Sequence, residues 1–232
     1  MRYLILIPAR GGSKGLLGKN VYPICGKPMI DYTISLLKEI KWAGDVAVST
    51  DDESIIKISK ELIKGFENFF VIKRPAEYAR DTSSTEDVAI HTVNYMKERY
   101  GKEYDVLVTM APNLPMRTKE MFFACIDSFE NMAEEFDSQV CFCRTDEDLW
   151  RKAENGEYKR VNPDAPRRRQ DREAFYIEKG SITMTKINAL ISTGSLWGKK
   201  VHGFEIEEKC AIDVHDINDV RYLEYLLNNQ NK

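Results

Sequence analysis

The run Tyr3 to Ile7 reads as a strand buried on both faces of a parallel sheet. Pro28 to Ile40 places Met29, Ile30, Ile34, Leu37 and Ile40 at the spacing of an amphipathic helix opened by proline. Asp45 to Ser49 reads as a second strand, and Thr50-Asp51-Asp52-Glu53 as a capping box that starts a helix to about Lys64. Asn68 to Lys73 is a third strand. Ser83-Ser84-Thr85-Glu86 reads as another capping box, for a helix to about Tyr100. Asp105 to Met110 follows as a strand and Thr118 to Ala133 as a helix. Such alternation predicts an α/β fold with a parallel sheet covered on both faces.

The pattern breaks from Ser138 onward. Residues 145 to 175 are polar and charged, with a turn expected at Asn155-Gly156, and strand character returns from Phe175 to Met184. A last helix is expected from Asp216 to Asn228. Ligands of parallel sheets bind at the carboxyl ends of the strands. Those ends carry Arg10, Ser49 to Asp52, Arg74 and Pro112 to Arg117.

Composition narrows the class. A chain of 232 residues, 43% hydrophobic, can bury a substantial core as a single domain over residues 1–232. Its net charge of −3 gives no pull toward nucleic acid or an anionic membrane. No apolar stretch has the length of a membrane span, and the first run is too short for a signal peptide. The five cysteines, Cys25, Cys125, Cys141, Cys143 and Cys210, are scattered and odd in number. They read as reduced core residues of a cytoplasmic protein. His91 and His202 read as packing residues, and the scattered tryptophans form no stacking platform for nucleic acid.

The candidate chemistry starts where the first strand ends. Ile7 to Asn20 holds four glycines and the cations Arg10, Lys14 and Lys19, the makings of a phosphate-binding loop. It is not a Walker A loop, because Ser13 stands where the first glycine belongs and Asn20 where the hydroxyl belongs. It also fails the dinucleotide fingerprint, because Gly11 and Gly12 are adjacent and charges crowd the loop.

Arg10-Gly-Gly-Ser-Lys-Gly-x-x-Gly-Lys-Asn20 resembles the signature of the acylneuraminate cytidylyltransferases, or CMP-sialic acid synthetases, including the CMP-legionaminate type. Ser49-Thr50-Asp51-Asp52-Glu53, Arg74-Pro75-Ala76-Glu77, Asp81-Thr82-Ser83-Ser84-Thr85, Pro115-Met116-Arg117-Thr118 and Ile212-Asp213-Val214 extend the resemblance in order and spacing. It implies a three-layer Rossmann-like nucleotidyltransferase fold. Residues about 140–185 would include a protruding arm that packs on a second subunit of a homodimer.

The implied reaction is attack of the hydroxyl of an acidic nine-carbon keto-sugar on the α-phosphorus of CTP, with Mg2+ as cofactor. Arg10 and Lys19 would neutralise phosphate charge. Ala9, Gly11, Gly12, Ser13, Lys14 and Asn20 would line the triphosphate side, and Arg74, Ser83 and Thr85 the base side. Asp213 aligns with the metal-binding aspartate. A second aspartate of the family is His215 here, so Asp216 is either a second ligand or the N-cap of the last helix. Ala111, Asn113, Arg117 and Arg169 fall at sugar-site positions. The sugar half departs most: Ala111 and Leu114 replace a glutamine and a serine of the family pattern. A sugar- or polyol-phosphate acceptor, or a nucleotide-binding paralogue without turnover, are the alternatives. A glycosyltransferase is set aside on the expectation that no strand end after residue 85 carries an Asp-x-Asp pair.

Overall fold

The computed structural model describes residues 1–12, 15–80 and 82–229. A central sheet of seven strands runs in the order β11-β7-β10-β6-β1-β4-β5. These are β1 (Tyr3–Pro8), β4 (Asp45–Thr50), β5 (Phe69–Lys73), β6 (Val106–Thr109), β7 (Ser138–Thr145), β10 (Phe175–Lys186) and β11 (Val201–Glu205). Two small ribbons lie outside it: β2 (Pro23–Ile24) with β3 (Lys27–Pro28), and β8 (Trp150–Lys152) with β9 (Tyr158–Arg160). All sheet neighbours pair in parallel except β10, which runs against both β6 and β7.

Six helices complete the fold: α1 (Met29–Glu39), α2 (Glu53–Leu62), α3 (Thr85–Tyr100), α4 (Lys119–Met132), α5 (Ile187–Thr193) and α6 (Ile217–Asn229). Side chains alternate across a strand, so β1 feeds two cores. Ile5 and Ile7 pack with α1, α2 and α4, including the fully buried Ile30, Ile34 and Phe122. Leu4 and Leu6 pack on the other face with α3 and α5, through Val88, Ala89 and Leu190. Each such aliphatic side chain contributes about 1.5–3 kcal/mol by leaving water. A third cluster joins Leu16, Met29, Met116, Val214, Val220 and Leu223, and fastens α6 onto the glycine-rich loop.

The expected strands and helices up to α4 are all present, with ends shifted by one or two residues. Both helix caps differ from the expected ones. Asp52, not Thr50, caps α2, with its Oδ1 accepting from the N–H groups of Ser54 (2.7 Å) and Ile55 (3.1 Å). Ser84, not Ser83, caps α3, in a reciprocal box with Asp87 at 3.0 and 3.1 Å. In each case the residue next to the helix holds the extended backbone that capping needs. The five cysteines are free; four are buried, whereas Cys25 is exposed.

Between β7 and β10 the chain makes an excursion held by its own ion pairs. Arg160 grips Asp148 with two bonds (3.1 and 2.9 Å), and Arg172 donates to the carbonyls of Pro166, Asp146 and Arg167. Asn155-Gly156 turns as expected, with Gly156 at φ 84°. Leu149, Trp150, Tyr158, Tyr176 and Ile177 are exposed on this excursion and the adjoining end of β10.

Candidate active site

The carboxyl ends of β1, β5 and β6 open onto a cleft of about 530 Å³. Its walls include Arg10, Gly15, Lys19, Asn20, Arg74, Tyr78, Arg80, Ser83, Thr85, Ala111, Asn113 and His215. Residues from four separated stretches of sequence therefore meet in one place. A larger groove of about 810 Å³ lies where the strands begin, beside Tyr3, Trp42 and Tyr104, and holds none of the expected site residues. In a parallel sheet the strand carboxyl ends are the binding edge, so the smaller cleft is the candidate site.

The glycine-rich loop is clamped from both sides. Gly11 donates its N–H to Asp51 Oδ1 (3.0 Å), and a Cβ at Gly11 would fall 2.5 Å from Asp52 Oδ2. A Cβ at Gly15 would fall 2.5 Å from the carbonyl oxygen of His215. Both positions exclude a side chain by close approach. Asn20 is buried and donates its amide to the carbonyl of Arg10 (2.8 Å), so it braces the loop from beneath. Ala9 is fully buried, with its N–H spent on the carbonyl of Ser49 (3.0 Å), so its side chain belongs to the core rather than to the cleft. Ser13 and Lys14 lie outside the described residues.

Lys19 Nζ donates to the carbonyl of Val214 (3.0 Å). Burial pushes its pKa below the ordinary lysine value; Asp213 opposes that shift and Arg10 adds to it. Arg10 and Lys19 are neighbouring cations at a half-buried site, with Asp213 and Asp219 both acting on Lys19, an arrangement that suits a phosphate-bearing ligand. Arg74 is buried and holds the carbonyl of Ser49 with Nη2 (2.7 Å) and its hydroxyl with Nε (3.2 Å). Burial lowers its pKa, against the pull of Asp51. Ser83 donates its hydroxyl to the carbonyl of Glu77 (2.9 Å), which closes the turn between Arg74 and α3.

Asp213 is half-buried, between Asn113, which donates its amide to Oδ1 (2.5 Å), and His215, whose Nε2 lies 3.1 Å from Oδ2. Among the described residues no group of three His, Cys, Asp or Glu side chains could hold a metal by itself. One carboxylate fits magnesium only in company, because that ion is held by one or two carboxylates together with substrate phosphates and water. The donor set therefore suits a metal that arrives with a triphosphate. Asp216 takes the cap role: its Oδ1 accepts from Asn218 N (2.7 Å) and Asp219 N (3.2 Å) at the start of α6, and neither it nor Asp213 lines the cleft wall directly.

Two expected sugar contacts are placed differently. Arg117 is buried away from the cleft wall, and its guanidinium is spent on the carbonyls of Ser181 (2.6 Å) and Ala111 (2.7 Å) and the hydroxyl of Thr33 (3.1 Å). Burial pushes its pKa down to about 10. It ties the Ala111–Arg117 loop to β10 and α1. Arg169 sits exposed on the excursion, 3.9 Å from Asp146 and 3.5 Å from Glu147, and does not reach the cleft of its own chain. Ala111 and Asn113 do line the cleft.

An Asp-x-Asp pair does follow a strand end after all, as Asp146-Glu147-Asp148 after β7. Its carboxylates face Arg144 of β7 and Arg160, Arg169 and Arg172 on the excursion, and the pair is not part of the cleft wall. Tyr78 and Arg80 line the cleft without having been anticipated. The signal for both was their position, directly after the Arg74-Pro75-Ala76-Glu77 motif.

The family model of the cytidylyltransferases matches residues 4–228. The chain belongs to the cytidylyltransferase family. It is 29% identical to the post-translational flagellin modification protein B of Campylobacter coli, over 98% of this chain and 96% of that protein. It is also 29% identical to the N-acylneuraminate cytidylyltransferase A of Danio rerio, over 90% of this chain but 47% of that enzyme. A CMP-N,N'-diacetyllegionaminic acid synthase of Legionella pneumophila is 32% identical over 52% of this chain and 50% of its own length. The chain thus spans about half the length of the acylneuraminate cytidylyltransferases it matches over nearly its whole length. Several of these relatives are named N-acylneuraminate cytidylyltransferases.

Two solved structures share the fold. CMP:2-keto-3-deoxy-manno-octonic acid synthetase complexed with CTP superposes with a TM-score of 0.68 at 17% identity, covering 99% of this chain and 100% of that one. A 4-diphosphocytidyl-2C-methyl-D-erythritol synthase from Anaerococcus prevotii reaches 0.71 at 10% identity, covering 98% and 99%. The Rossmann-like α/β architecture with a mainly parallel sheet holds.

Proposed function

We propose that this cytidylyltransferase transfers CMP from CTP to the anomeric hydroxyl of a nonulosonic, sialic-acid-like sugar acid. The observation that carries the reading is the meeting of Arg10, Lys19, Arg74, Asn113 and, through Asn113, Asp213 at one cleft. The sugar hydroxyl oxygen attacks the α-phosphorus, the bond from that phosphorus to the β-phosphate oxygen breaks, and pyrophosphate leaves. The hydroxyl proton is released. Arg10 and Lys19 hold the charge that spreads over the phosphate oxygens and the departing pyrophosphate. Arg74, Ser83 and Thr85 frame the base side. Asp213, oriented by Asn113, would hold magnesium brought by the triphosphate. Once bound, that ion supplies positive charge to the phosphates.

The enzyme is proposed to work in the cytoplasm as a homodimer, with Arg169 of one copy facing the acid sugar of the other. The exposed Trp150, Tyr158, Tyr176 and Ile177 support an arm that is covered by a partner copy. Pyrophosphate release is measured with each nucleoside triphosphate against a panel of acidic keto-sugars and of sugar and polyol phosphates. Turnover with CTP, magnesium and a nonulosonic acid supports the proposal. Turnover only with a phosphorylated acceptor, or CTP binding with no product from any acceptor, contradicts it.

A further inference from the structure

The phosphate and metal chemistry of the cleft leaves one aromatic ring in its wall unused. Tyr78 ends the short 3-10 turn Ala76–Tyr78 that follows β5. Among the described residues that line the cleft it alone carries a phenol or phenyl ring. Its backbone is fixed on both sides: the N–H donates to the carbonyl of Pro75 (3.0 Å), and the carbonyl faces Arg74 Nη1 at 3.5 Å. The ring is half-buried and rests on the imidazole of His91 in α3, with centroids 4.8 Å apart and planes 37° from one another.

Behind His91 the row of rings continues to Tyr95 (6.0 Å), Tyr100 (6.2 Å) and Phe70 on β5 (4.8 Å). Burial and the neighbouring Arg74 cation lower the His91 pKa, with Glu77 and Glu98 opposing. The imidazole beneath Tyr78 is a flat support whose surroundings favour its neutral form. Beside Tyr78 on the same wall stand Ser83, Thr85 and the aliphatic Val88, while Arg10, Gly15, Lys19 and His215 belong to the loop end.

We propose that Tyr78 is the surface on which the pyrimidine ring of the nucleotide lies, so that the turn after β5 binds the base as the glycine-rich loop binds the phosphates. This rests on the reading of the cleft as a CTP site. A planar base gains most from an aromatic face that is already held rigid, since no rotamer entropy is then lost on binding. Stacking needs the ring and not its hydroxyl.

Calorimetric titration of the full chain with CTP and, separately, with inorganic tripolyphosphate tests it, on the wild type, Tyr78→Ala and Tyr78→Phe. Tyr78→Ala is expected to weaken CTP about tenfold or more, the scale of losing one base–aromatic stack. Its affinity for tripolyphosphate should be unchanged, and Tyr78→Phe should restore CTP binding. CTP affinity in Tyr78→Ala within about twofold of wild type, well short of a lost stack, overturns the proposal. So does equal weakening of both ligands, which marks a merely structural role. A wild type that binds tripolyphosphate but not CTP would instead sink the nucleotide reading itself.

Discussion

Two loops leave the neighbouring strands β1 and β6 at the same edge of the sheet, and they use their cations in opposite ways. The first brings Arg10 and Lys19 to the cleft wall and spends backbone groups, glycines and Asn20 on keeping them there. The second carries Arg117 inward, where three neutral acceptors hold it and, among the described residues, no carboxylate shares a hydrogen bond with it. Both loops carry an arginine at the same edge of the sheet; burial and hydrogen-bond accounting separate a cation for a ligand from a cation for the fold. Asn113 links the two loops, because it belongs to the second and orients Asp213 beside the first.

The comparison can be broken most sharply at Lys19. Lys19→Ala should lower kcat/KM about a hundredfold to a thousandfold, the scale of removing one preorganised donor from a developing charge. Its melting temperature should stay close to wild type, as differential scanning fluorimetry would register. Arg117→Met should do the reverse. It leaves the carbonyls of Ala111 and Ser181 and the hydroxyl of Thr33 without a donor, at a cost of about 3 kcal/mol of stability. Urea denaturation reads that loss, and a variant as stable as wild type would return Arg117 to the ligand.

Smaller effects sharpen the edges of the picture. Gly15→Ala should push the loop off the backbone of His215 and raise the KM for CTP about tenfold, a loss a small misplacement can produce. Steady-state kinetics at fixed acceptor would show it. Asp216→Ala should remove the cap of α6 for about 1 kcal/mol and leave the magnesium dependence of turnover where it was. A shift in that dependence would make Asp216 a ligand.

The alternation of strands and helices was legible because buried parallel strands read as unbroken apolar runs and covering helices as amphipathic ones. That Arg10, Lys19 and Asn20 belong at the cleft was legible because glycines and cations concentrated after a strand leave little else to bind but an anion, whereas Ala9 turns into the core. The caps were misplaced by a residue or two because Thr50, Asp51 and Asp52, like Ser83, Ser84 and Thr85, all have the side chain for the role. Only backbone conformation selects among them. Arg117 was beyond sequence reading, since its acceptors come from residues 33, 111 and 181. Tyr78 was missed because an isolated tyrosine shows no pattern until His91, one α-helix away, appears beneath it.

The proposed CTP site rests on the first loop and Asp213. Pyrophosphate release from wild type and Lys19→Ala, with CTP or UTP and a nonulosonic acid acceptor, tests it most directly. Rapid, magnesium-dependent release from wild type with CTP, little with UTP, and almost none from Lys19→Ala is the expected result. Equal rates with both nucleotides, or a Lys19→Ala rate near that of wild type, would contradict it.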